Sequence, residues 1–226
     1  MLVRQLLSFA LLGASSMVLA QHARIVVEHA NTLEVYHDLG SAVEAAPAGA
    51  SLYLSGGTFT LPLGFALNKP LHFTGAGIHP DSAGTTGPTM IQDAGVSQPF
   101  YLLSGASGST FTGIWFNMTN TNSSVQFGTN AQDQNVQNIG FVRCRFQRGI
   151  NLGEVEPAAG SAVFTECIFH HYVSGYGSSG HFIRCIFDWE PSTAAGTINI
   201  FRPSGLLMEH CVVLGGLVGN SQGATI

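Results

Sequence analysis

The hexapeptide "FIRCIF" at residues 182–187 has near copies on both sides. "FVRCRF" (141–146) and "FTECIF" (164–169) precede it, and "LMEHCV" (207–212) follows in blurred form. All four cysteines of the chain lie in these copies: Cys144, Cys167, Cys185 and Cys211, at intervals of 23, 18 and 26 residues. Farther upstream, "FTGIWF" (111–116) fits with Ile114 in the cysteine column, and "HFTGAG" (72–77) fits with Ala76 there. Three residues before the column stand Phe73, Phe111, Phe141, Phe164, Phe182 and Met208. Two residues after it stand Ile78, Phe116, Phe146, Phe169, Phe187 and Val213. A constant apolar core pattern with a variable period is the mark of a solenoid whose loops differ in length.

The type of solenoid follows from the period inside each copy. The cysteine and the aromatic two residues later flank Arg145, Ile168 or Ile186, which is the alternation of a strand. The aromatic three residues before the cysteine breaks that alternation, so a turn lies between. Its position is held by Gly75, Gly113, Arg143, Glu166, Arg184 and His210, and the glycines suit a left-handed backbone. Arg143, Glu166 and Arg184 alternate in sign, as stacking in register about 4.8 Å apart would favour. Short strands, turns and coils without a long amphipathic helix predict an all-β parallel β-helix. A third strand per coil is expected at "INL" (150–152), "YVS" (172–174) and "INI" (198–200), with Asn151, Ser174 and Asn199 facing out.

The remainder of the chain sets the frame. It has 226 residues, 45% of them hydrophobic and only 9% charged, with 28 glycines and a net charge of −5. Lys69 is its single lysine, so no basic patch exists to neutralise phosphates, and no nucleic-acid partner is expected. Arg4 followed by "LLSFALLGASSMVLA" (6–20) reads as an export signal cleaved before Gln21, with a membrane anchor as the rival reading. No membrane span is expected after cleavage, so the protein is expected to be secreted or at the cell surface. The expected organisation is a signal peptide over 1–20, an N-terminal segment with a capping helix over 21–50, and β-helix coils over 51–226 without a C-terminal cap. In the helix, Asp38 caps a face of Leu39, Ala42, Val43 and Ala46, and Pro47 and Gly49 end it.

The segment "HDLGSAVEAAPAGASLYLSGGTFTL" (37–61) with "NKPLHFTGAG" (68–77) resembles the opening of the right-handed parallel β-helix proteins of the pectin-lyase-like superfamily. The resemblance spans roughly residues 35–226. It implies a right-handed parallel β-helix, and it would place any activity among polysaccharide lyases or glycoside hydrolases. The lyases would carry calcium-binding aspartates and a basic residue, and the hydrolases paired aspartates, Gly-His-Gly and Arg-x-Lys. This chain departs from both patterns. Its only aspartates after residue 100 are Asp133 and Asp188, and Gly180-His181 is followed by Phe182.

The cysteines are expected to point inward as an unbridged column of small apolar side chains. Disulfides stay open as the alternative, because secretion permits them and the rung spacing falls within the Cα range of a bridge. Four thiols strung along a solenoid cannot close one tetrahedron, so neither a metal site nor a cofactor is expected. Candidate catalytic residues are His170 and His171 in "FHHY" (169–172), with Asp188 and Glu190 in "DWEP" (188–191). Packed side chains and solvated loops are the plain alternatives. Candidate binding residues are Trp115 and Trp189, which could stack on sugar rings, and the outward Asn151, Ser174 and Asn199. Asn117 and Asn122 open glycosylation sequons. A further row, Trp115, Arg145, Ile168, Ile186 and Val212, is expected to face out and to be covered by a loop or to form a contact face.

Three functional classes follow. The preferred one is a secreted or displayed β-helix module that binds, with polysaccharide as the candidate partner, and does not catalyse. The second is a polysaccharide lyase or glycoside hydrolase. The third is a structural segment of a longer surface adhesin, with self-association or further coils as its contacts.

Overall fold

A computed structural model describes residues 23–79, 87–129, 132–153, 160–188, 197–201, 205–214 and 217–221. The signal-peptide expectation, Trp189 and Glu190 lie outside these residues. The chain opens with a hairpin of β1 (Ile25–His29) and β2 (Thr32–Tyr36), followed by the helix α1 (Leu39–Ala45). From there the described strands come in triplets, one triplet per coil. The first three coils hold β3 (Ser51–Leu54), β4 (Gly57–Thr60) and β5 (Ala66–Leu67); β6 (His72–Thr74), β7 (Thr89–Gln92) and β8 (Phe100–Leu102); and β9 (Thr110–Thr112), β10 (Ile114–Phe116) and β11 (Ser123–Phe127). The next two hold β12 (Ile139–Val142), β13 (Arg145–Phe146) and β14 (Gly149–Asn151); and β15 (Ser161–Thr165), β16 (Ile168–Phe169) and β17 (Val173–Tyr176). The last two hold β18 (Ser179–Ile183), β19 (Ile186–Asp188) and β20 (Thr197–Phe201); and β21 (Gly205–Glu209), β22 (Val212–Leu214) and β23 (Leu217–Ser221).

Each member of a triplet joins a different sheet. The first sheet runs β2-β1-β3-β6-β9-β12-β15-β18-β21, the second β4 to β22 and the third β5 to β23. Pairing is parallel throughout the second and third sheets, and in the first from β3 onward; β1 pairs antiparallel with β2 and β3. The molecule is therefore an all-β stack of long parallel sheets, as a β-solenoid requires.

The core is set by two aromatic columns. In the first sheet Phe73, Phe111, Phe141, Phe164 and Phe182 share one register position. Successive rings along it stack with centroids 4.9, 5.1, 5.1 and 4.9 Å apart. In the second sheet Phe116, Phe146, Phe169 and Phe187 stack at 5.3, 5.2 and 4.7 Å. The two columns meet edge to face, as Phe141 and Phe146 do at 82°. Stacking along the axis and edge contacts across it both satisfy the ring quadrupoles. All nine of these rings are at most 1% exposed.

The cysteine column lies at the corner between the two sheets. Cys144, Cys167 and Cys185 are buried and Cys211 half-buried, all as free thiols. Each thiol points at the carbonyl of the phenylalanine one coil earlier: Cys144 at Phe111 (3.3 Å), Cys167 at Phe141 (3.5 Å), Cys185 at Phe164 (3.3 Å) and Cys211 at Phe182 (3.4 Å). The column thus fills space and weakly caps turn carbonyls. Burial pushes the Cys167 thiol well up, with Cys144 and Cys185 adding to it.

The turn before each cysteine is left-handed: φ is 64° at Gly113, 49° at Arg143, 56° at Glu166, 51° at Arg184 and 54° at His210. Gly75 does not share that conformation, and the alignment of its coil needs correction. Ile114 pairs with Thr89 and Phe116 with Ile91, so Thr89 and Ile91, not Ala76 and Ile78, hold the two columns there. A long insertion separates Phe73 from Thr89. Thr89 is fully buried, and its hydroxyl donates to Ser55 O at 2.9 Å, the role the thiols have in later coils.

Helix α1 has the expected cap, with the Ser41 amide donating to Asp38 Oδ1 at 2.7 Å. Leu39, Ala42, Val43 and Ala46 are buried as one apolar face.

Candidate functional site

Strand alternation turns one register row of the second sheet outward: Met90, Trp115, Arg145, Ile168, Ile186 and Val212. On four successive coils of this face the side chains link up. The Arg145 guanidinium lies 4.4 Å over the Trp115 ring, a cation–π contact. Arg145 Nε donates to His170 Nε2 at 2.9 Å. On the far side, His170 Nδ1 is 3.2 Å from the Asp188 carbonyl and 3.6 Å from Asp188 Oδ2. An arginine N–H can only donate, so His170 Nε2 accepts and its proton sits on Nδ1, facing Asp188.

The structure thus joins His170 and Asp188, both catalytic candidates, to the binding candidate Trp115 through Arg145. Reading the sequence placed Arg145 in the outward row but gave it no role. The signal was its register next to Trp115 one coil below. Both His170 nitrogens are engaged, so His170 could act as a base only after releasing the Arg145 N–H from Nε2.

His171 goes elsewhere. Its ring meets Tyr172 edge-on at 5.0 Å, and burial pushes its pKa down, with the Arg148 charge adding to this. Tyr172 in turn reaches Ser123 Oγ at 3.0 Å and lies over Gly149, where a Cβ would come within 2.5 Å of the ring. The adjacent histidines therefore serve different neighbourhoods and do not form a pair.

The third sheet carries the polar row. Tyr101, Gln126, Asn151, Ser174 and Asn199 are register neighbours from β8 to β20. Asn151 and Ser174 are half-buried. Asn151 Oδ1 accepts from the Gly153 amide at 3.0 Å, which orients its amide. Gln126 is only 8% exposed. In the loop after β11, Gln134 packs against Gly128, whose added Cβ would meet it at 2.5 Å.

A cleft of about 570 Å³ opens at the corner of the first and second sheets, between Gly77, His79, Thr112, Arg143 and Glu166. The Glu166 carboxylate is taken by Arg184, with Nη2 at 2.9 Å and Nε at 3.1 Å. The alternating charges of the turn column form this pair as register predicted. The misaligned coil hid the cleft from sequence reading, because the insertion after Phe73 builds its wall.

Comparison with known proteins gives no matching family model, no matching curated protein and no matching solved structure.

Proposed function

We propose that the chain is a secreted or surface-displayed right-handed parallel β-helix of the pectin-lyase-like type that binds polysaccharide without cleaving it, with α1 covering one end of its core. The observation that carries this reading is the row Tyr101–Gln126–Asn151–Ser174–Asn199, polar and uncharged on five successive coils. Amides and hydroxyls repeated at the rise of one coil suit the hydroxyls of a repeating sugar chain. The phenol of Tyr101 adds an amphipathic ring at one end. The orientation of Asn151 by Gly153 reduces the ordering cost of such contacts.

Retention of the protein in affinity gels cast with neutral and acidic polysaccharides tests the reading. Asn151→Ala combined with Ser174→Ala should weaken retention about tenfold or more, the equivalent of about 1.4 kcal/mol. Undiminished retention in this double variant, or none by the parent protein in any gel, would overturn it.

A second reading, a polysaccharide lyase or hydrolase, is favoured by the junction of Arg145, His170 and Asp188. It requires cleavage that disappears in His170→Ala and Asp188→Asn. The adhesin-segment reading requires a longer reading frame with further coils.

A further inference from the structure

Four free thiols stand one above another on successive coils: Cys144, Cys167, Cys185 and Cys211. Backbone bonds fix their register, since the amides of Ile168, Ile186 and Val212 each donate at 2.9 Å to the carbonyls of Cys144, Cys167 and Cys185. Over the same coils the aromatic columns on either side rise by 5.1 and 4.9 Å, and by 5.2 and 4.7 Å. The sulfurs interact along the column, Cys167 with both Cys144 and Cys185, and Cys185 also with Cys211. Neither the polar row of the third sheet nor the chain from Trp115 to Asp188 uses them.

Parallel side chains at this rise keep their Cβ atoms about 4.8 Å apart, beyond the mean of about 3.8 Å across a disulfide. Zinc does not fit either. It needs four donors around one centre, and among the described residues no group of three or more such donors converges. A two-coordinate ion needs only two sulfurs facing each other along a line. Two bonds of the length sulfur makes to zinc, about 2.3 Å each, span about 4.6 Å, close to the rise of one coil. The separation that is too wide for a disulfide therefore suits sulfur–metal–sulfur. The direction fits as well. The thiols of Cys167, Cys185 and Cys211 point back at the carbonyls of Phe141, Phe164 and Phe182 on the preceding coil. Their protons thus lie on the side where the neighbouring sulfur stands.

We infer that this column binds copper(I), each ion held two-coordinate between the sulfurs of successive coils. Thiolate sulfur selects copper(I), zinc or iron–sulfur clusters. The last two gather four ligands at one place, which leaves copper(I). The charge balances. Each ion displaces one thiol proton to solvent and stays copper(I), so two thiols become a neutral thiolate–copper–thiol unit. Four sulfurs enclose three gaps. Three ions release three protons, and the filled column carries no net charge, where an uncompensated buried ion would be costly. The central pair is prepared for this exchange. Burial holds the proton on Cys167, while the bond from Cys167 draws the Cys185 thiol below its ordinary value.

The test is the copper content of the folded protein. The full chain, reduced and kept free of oxygen, receives copper(I) in competition with a chelator, and copper per chain is measured after gel filtration. Single serine variants of the four cysteines are treated alike, and melting confirms that each is folded. Serine keeps the hydroxyl that Thr89 shows to serve at this place. The expected counts follow position: three ions in the parent, two in Cys144→Ser and Cys211→Ser, which each remove one gap, and one in Cys167→Ser and Cys185→Ser, which each remove two. If one inner variant fails to fold, the other decides. X-ray absorption on the loaded parent should show two sulfur neighbours per ion, and it decides if both inner variants fail. No copper retained by the folded parent, an equal loss in all four variants, or three or more sulfurs around each ion would overturn the inference.

Discussion

Cys167 touches the carbonyls of Phe141 and Thr165 through its sulfur, at 3.5 and 3.4 Å, in a site 1% exposed. Thr89 shows that a hydroxyl serves at the same place. Cys167→Ser should therefore cost only about 1 kcal/mol in urea unfolding, because the hydroxyl keeps its acceptor. Cys167→Leu should cost about 1–3 kcal/mol through overpacking. A larger loss for serine than for leucine would contradict the capping role. Phe164, stacked on both sides, should cost about 3–5 kcal/mol as alanine.

His171 and Asp93 both contribute to the acid response. His171 has a depressed pKa through burial and Arg148. It binds protons more weakly folded than unfolded, so its contribution is complete above about pH 6.5 and declines as pH falls below that. Burial pushes the Asp93 carboxyl up, but bonds from the Asn120 side chain and the amides of Thr119, Asn120 and Gly95 prevail and hold it below its ordinary value. Its contribution is present above about pH 3.9 and lost as pH falls through the depressed value. Melting temperature against pH should therefore show a decline starting near 6.5 that His171→Phe reduces, and a second below about 4 that Asp93→Asn reduces, the remainder coming from Asp38, which the Ser41 hydrogen bonds hold low.

At the scale of elements, the left-handed turns are where the chain departs from local preference. An L residue at positive φ costs roughly 1–2 kcal/mol, and Arg143, Glu166, Arg184 and His210 all stand there. Arg143→Gly should stabilise by about 0.5–1 kcal/mol, allowing for the entropy of glycine, while Arg143→Val should destabilise. Chemical denaturation of the pair reads the sign. These turns also show what the sequence made legible. The strand–turn–strand copies, the aromatic columns and the α1 cap with its buried face could be read from spacing alone, because each residue type reports its own burial. The coil at Phe73 could not. Ala76 imitates the small residue of the column, but a loop of variable length moves the true position to Thr89, and fixed offsets do not register loop length. The Arg145–His170–Asp188 chain escaped for a related reason: its members lie on three coils, and only exact register brings them together. Asn151 and Ser174 were readable because each stands seven residues after its cysteine, and Asn199, 14 residues after Cys185, because "INI" (198–200) repeats the "INL" of 150–152.

For the molecule as a whole, stability and function both follow from repetition. Each coil meets only its neighbours, so stability is a sum of coil and interface terms. A truncating change in the middle of the stack, such as Phe164→Ala, should lower cooperativity more than Met208→Ala in the last described coil, which hydrogen exchange resolved along the chain would display. The outer faces are then independent of the core, and uncharged polar rows can be presented without a reacting group. We propose that these faces hold polysaccharide and leave it intact. It is tested most directly by incubating the protein with a panel of polysaccharides, with and without calcium, and assaying retention and newly formed reducing or unsaturated ends in the same samples. Retention with no new ends is expected. New ends that vanish in His170→Ala or Asp188→Asn would contradict it.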